Sequence, residues 1–135
     1  MHLLNFSHPL TSTQVSQVEA HIGYKISTVI DIPVSFDLDL PFTDQVTNLI
    51  NELPLSKEQL QTEPIIINLP ALNHITAVLI ANLHGCMGYF PPIIRLHLVP
   101  GSLPPRYEVA EIINLQAVRD QARKSRYSNR NNLET

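Results

Sequence analysis

The residues of this chain that could do chemistry gather in two short turns and at one arginine. The first turn reads Asn5-Phe6-Ser7-His8-Pro9-Leu10-Thr11, the second reads Asn68-Leu69-Pro70-Ala71-Leu72-Asn73, and Arg106 follows Pro104-Pro105. Together they offer amides, hydroxyls, one imidazole and one guanidinium, with no carboxylate until Glu108. Each turn leads into a helix, whose free amides and positive dipole end suit a phosphate. Asn5, Ser7, His8, Asn68, Asn73 and Arg106 are therefore the candidate ligand contacts, with Thr11 as second choice. Structural duties compete with that role. Thr11 is first of all a helix cap, Asn68 and Asn73 could cap the helix that follows them, and Arg106 could be a solvated surface charge.

Other chemistries fit less well. Ser7 beside His8 suggests a nucleophile, with Asp31 as third member, but the glycine elbow of hydrolases is absent. Neighbours in an extended loop also point apart. His84, Cys86 and His97 are the nearest approach to a metal cluster, yet their spacing matches no zinc motif. The chain carries no glycine-rich phosphate loop and no dinucleotide fingerprint. Neither a metal nor a cofactor is expected.

The elements that must position these turns are read from hydrophobic period. Ile65-Ile66-Ile67 is a strand covered on both faces, and Asn68 and Pro70 end it. Leu72 to Leu83 has helical spacing with Gly85 as a stop, and Ile93 to Val99 is the next strand. This unit is a right-handed crossover between parallel strands. Before it, His2 to Phe6 is a first strand, and Thr11 with Gln14 makes a capping box for a helix ending at Gly23. Tyr24 to Val34 is a second strand, Phe42 to Leu53 a helix, and Ser56 with Gln59 a second capping box. The linker Pro100 to Pro105, six residues, is too short for a parallel return, so Tyr107 to Ile113 must run antiparallel. Gln116 to Arg126 is a last helix with a narrow apolar face of Leu115, Val118 and Ala122.

These elements predict a single three-layer α/β domain over 1–126, with a mostly parallel sheet of order 2-1-3-4-5 and an antiparallel last strand; 127–135 reads as a polar, disordered tail. In such sheets ligands sit beyond the carboxyl ends of the strands, where the winding reverses. With this order, that place lies between the first and third strands, where the two polar turns meet.

At 135 residues the chain is one domain with room for a core. No apolar run reaches the ~18 residues of a membrane span. Met1-His2-Leu3-Leu4 lacks the features of a signal peptide, and the single Cys86 fits a reducing, cytoplasmic setting. The net charge of −3 argues against long nucleic acid as a partner. That charge is unevenly placed: residues 1–117 carry four bases against ten acids, a balance of −6, and residues 118–135 carry five bases against two acids, +3. The basic end could meet phosphate or the acidic body of a second copy. Ala77, Ala81 and Gly85 form a small-residue stripe, for packing within the chain or for a symmetric dimer.

Three segments carry a resemblance: LLNFSHPLT (Leu3 to Thr11), INLPALNHITAVLIANLHGCMGYFPPIIRL (Ile67 to Leu96) and EVAEIINLQAVRDQAR (Glu108 to Arg123). They resemble the Csx-fifteen family of type III CRISPR accessory proteins. The resemblance implies a CARF-like, Rossmann-like domain that captures a cyclic oligoadenylate, cyclic tetra-adenylate above all. It also implies a homodimer or higher oligomer that damps the antiviral signal. Phe6 and Leu72 would then be available as an adenine slot. Whether the ring is sequestered or cut stays open. His8 and Arg106 would be the catalytic candidates of a metal-independent ring nuclease, and neither has a clear general-base partner, which favours sequestration. A ligand-free adaptor, using the Met87-Gly88-Tyr89-Phe90-Pro91 loop as contact, is the third reading.

Overall fold

In the computed structural model the backbone is described for residues 1–134 and side chains for residues 1–128. The chain forms β1 (His2–Asn5), α1 (Ser12–Ile22), β2 (Thr28–Asp31), α2 (Phe42–Asn51), α3 (Lys57–Thr62), β3 (Ile65–Asn68), α4 (Asn73–Met87), β4 (Ile93–Leu98), β5 (Tyr107–Ile113) and α5 (Leu115–Glu134). The strands lie in the order β2-β1-β3-β4-β5; the first four are parallel and β5 runs antiparallel to β4, as the sequence predicts.

Strand alternation divides the core. Leu4, Phe6, Ile65 and Ile67 face α2, α3 and α4, where Val46, Ile50, Leu60, Ile75, Leu79 and Leu83 are buried. Leu3 and Ile66 face α1 and pack with Val18, Ile94 and Val109. One face thus carries three helices and the other carries one. α1 also reaches the outer strand: Gln14 Nε2 donates to the Tyr107 carbonyl at 2.9 Å, and the Val109 N–H donates to Gln17 Oε1 at 2.9 Å. These bonds satisfy backbone groups on the otherwise free edge of β5.

Both capping boxes form, at Thr11/Gln14 and Ser56/Gln59, and Gly23 closes α1 with φ 75°. Some boundaries differ from expectation. β2 is confined to Thr28–Asp31 because β1 offers only four pairing partners, so Tyr24 to Ser27 and Ile32 to Val34 lie outside the strand. α4 runs through Gly85 and ends at Gly88, which has φ 86° and donates its N–H to the His84 carbonyl. One interior glycine costs only about 1 kcal/mol, less than the burial of Met87 on the next turn returns.

α5 departs furthest. It continues past Arg126, through Tyr127 and Ser128, where a disordered tail over 127–135 was expected; Thr135 and the side chains of 129–134 lie outside the described residues. Leu115 is half-buried at its start, but Val118 and Ala122 of the same face are uncovered, and every residue from Ala117 to Ser128 is exposed. Among the described residues no helix is long and apolar enough to cross a membrane.

Candidate functional site

Three strands end side by side, with Asp31, Asn5 and Asn68 in register across β2, β1 and β3. Asn5 is fully buried and uses both ends of its amide. Its Nδ2 donates to the His8 carbonyl and to Asp31 Oδ1, both at 2.9 Å. Its Oδ1 accepts from the Ser7 N–H at 3.1 Å and from Asn68 Nδ2 at 2.9 Å. A buried amide with four partners is worth most as a lock, since any loss leaves several groups unsatisfied. It fixes the turn after β1 against the ends of both neighbouring strands. The two polar turns therefore do meet at the carboxyl end of the sheet, but Asn5 holds the rim together from beneath and has no group left for a ligand. Asn68, 5% exposed, commits its Nδ2 to Asn5.

What remains open on the rim is Ser7, His8, Leu72 and Asn73, all exposed. Ser7, His8 and Leu72, with 32–34 and Pro70-Ala71, border a shallow depression of about 270 Å³, whose floor includes Phe6; Asn73 is not among its walls. Phe6 is only 2% exposed and belongs to the core beneath, so its ring offers no face for stacking; Leu72, 45% exposed, could still support a base. The start of α4 is left without a side-chain cap. Its N-cap is Leu72, and the expected capping by Asn68 or Asn73 does not form: Asn68 turns to Asn5, and Asn73 Oδ1 accepts only the adjacent His74 N–H at 2.9 Å. An uncapped first turn leaves donors pointing past Leu72.

Arg106 and Thr11 stand elsewhere. They border a second depression of about 380 Å³ between α1 and the start of β5, together with Gln14, Gln17 and Tyr107. The turn after β1 separates the two depressions, so the expected contacts fall into two groups. Thr11 is committed to the capping box, accepting from the Gln14 N–H at 3.1 Å. Sequence reasoning missed Ile32, Pro33 and Val34 as walls of the first depression, although the strand order itself places the end of β2 beside β1.

Other clusters resolve as structure. Asp31 bonds Asn5 instead of His8, so no Ser7-His8-Asp31 relay is assembled. His84 stacks on Phe90 at 4.1 Å, Cys86 contacts Asn82, and His97 pairs with Glu108. A pairing that no local signal could announce joins the His2 ring to Thr28 Oγ1 at 2.5 Å and, through its other nitrogen, to the Glu63 carboxylate. The order resembles a nucleophile relay, but it sits at the amino ends of the strands, far from the rim. Its effect is electrostatic: the hydrogen bond from His2, more than any other cause, holds the Glu63 carboxyl below the usual carboxylate range. Comparison with family models, curated proteins and solved structures yields no match.

Proposed function

We propose that this chain binds a cyclic oligoadenylate, cyclic tetra-adenylate in particular, on the carboxyl rim and sequesters it, damping type III CRISPR antiviral signalling. The observation that supports this most is the uncapped start of α4 beside exposed His8 and Ser7. A ligand phosphate there accepts from helix amides and draws on the positive end of the dipole without needing a positive protein. The sequence resemblance supplies the ligand class, and the rim supplies donors and a supporting apolar side chain in Leu72. A homodimer would face two such rims across the approximate twofold axis of a cyclic tetranucleotide. Arg106, in the adjoining depression, serves as a longer-range contact.

Sequestration is favoured over cleavage because aligning a 2′-hydroxyl with its phosphate also needs a group to take the proton. Among the described residues no carboxylate hydrogen-bonds the His8 ring. The adaptor reading keeps only part of its surface: Met87 and Pro91 are buried, Phe90 packs on His84 and its N–H donates to Gln116 Oε1 at 2.9 Å, which leaves Gly88 exposed and Tyr89 and Phe90 half-buried.

The test is a thermal-shift series with cyclic oligoadenylates of different ring size. At about 100 times its dissociation constant, a specific ligand adds about 2.7 kcal/mol of stability. The expected outcome is a shift with one ring size that His8→Ala diminishes without altering the fold; no shift with any ring removes the proposal. Rapid multiple turnover of labelled cyclic tetra-adenylate to linear products would replace sequestration by cleavage.

A further inference from the structure

We propose that α5 of one chain docks on the turn between β2 and α2 of a second copy. The turn is a built surface. Phe36 and Phe42 meet edge to face at 6.2 Å beneath it and pack against the core. Gln45 clamps its backbone, accepting from the Asp37 N–H at 2.8 Å and donating to the carbonyls of Asp37 and Pro41 at 3.0 and 3.1 Å. Thus held, the turn points Leu38 and Leu40 into solvent, 72% and 56% exposed, between Asp37, Asp39 and Asp44. Exposed leucines on a fixed turn are a preorganised contact, since little ordering entropy is lost when they are covered.

α5 has the complementary character. Its exposed side bears Val118 and Ala122, flanked by Arg119, Arg123 and Arg126. Among the described residues none of these arginines pairs with a carboxylate of the body: Arg119 bonds the adjacent Asp120, and Arg123 and Arg126 lie 5.7 and 5.1 Å from the Tyr127 ring centroid. Like charges four apart, as at Arg119 and Arg123, weaken a solvated helix, and helices of this length draw most of their stability from packing. The body that would receive it carries −6 against +3 for residues 118–135, and that opposition selects a second copy as the occupant. The docking is independent of the ligand reading.

Sedimentation of the full chain without ligand tests it. The wild type is expected to self-associate at low salt and to return to single chains in ~1 M salt, where the Debye length is about 3 Å. Arg119→Glu with Arg123→Glu, and separately Asp39→Lys with Asp44→Lys, should each weaken association about tenfold or more. An equimolar mixture of the two variants should associate again, because both contacts between unlike chains are opposed, the acidic helix on the basic turn with reversed sign and the basic helix on the acidic turn with the original one. Leu38→Ser should weaken association with its salt dependence kept. A wild type that remains single at every concentration, association indifferent to both charge reversals, or a mixture that fails to recover it overturns the proposal. So does a basic helix that assembles only when poly-adenylate RNA is added, which would make it a nucleic-acid contact.

Discussion

The turns that lead into α1 and α4 occupy equivalent places in the fold, yet one is closed and the other open. After β1, Asn5 ties the chain to both neighbouring strands, and Thr11 with Gln14 closes the helix start. After β3, the chain passes through Pro70 and Leu72 into α4 with no bond from the N-cap side chain; the Thr76 hydroxyl donates to the Pro70 carbonyl at 2.9 Å, and Asn73 Oδ1 takes the His74 N–H alone. Rigidity and receptivity are thus placed side by side: one turn supplies a fixed wall, the other unspent donors. A helix start already satisfied by its own side chains has little to offer an anion.

The contrast can be broken most severely at Asn5. Asn5→Ala strips the closed turn of its lock and should cost about 3 kcal/mol, read as a lower denaturant midpoint at unchanged slope. Thr11→Ala removes only the cap and should cost about 1 kcal/mol, leaving any thermal shift with cyclic oligoadenylate nearly intact. Leu72→Asp should make the open turn resemble the closed one. It supplies the missing cap, stabilises the chain by up to about 1 kcal/mol, and places a carboxylate where a phosphate would sit, so the ligand-dependent shift should vanish. The smallest effect belongs to the far end of β1. The Glu63 carboxyl is depressed by its bond from His2, so the stability it lends is full above the ordinary carboxylate range and is lost as pH falls through its lowered value. An acid titration of wild type against Glu63→Gln should show a small extra loss in the wild type alone; identical curves would remove this pair from the account.

Much of this was legible in the sequence. The six-residue linker excluded a parallel fifth strand, and the need for helices on both faces of the sheet favoured, among several possible orders, the one that the sheet adopts. Both capping boxes could be read because their signal is local, a hydroxyl and an amide three residues apart. What escaped depends on register between distant strands. Asn5 and Phe6 look like adjacent rim residues in a polar turn, yet pairing with β3 buries both, one as an amide lock and one as core. His2 and Glu63 stand 61 positions apart, so their bond has no trace in either neighbourhood. The exposed face of α5 escaped for another reason: a narrow apolar stripe reads the same whether its cover is its own body or another chain.

The glutamines at positions 14 and 17 have a consequence beyond holding α1 in place. They take the Tyr107 carbonyl and the Val109 N–H on the outer border of the last strand, so a neighbouring polypeptide that adds itself there as a sixth rung must first displace them. Strand recruitment is hindered over the first half of that edge, and the Val109 amide proton should exchange slowly with deuterated solvent despite its peripheral position.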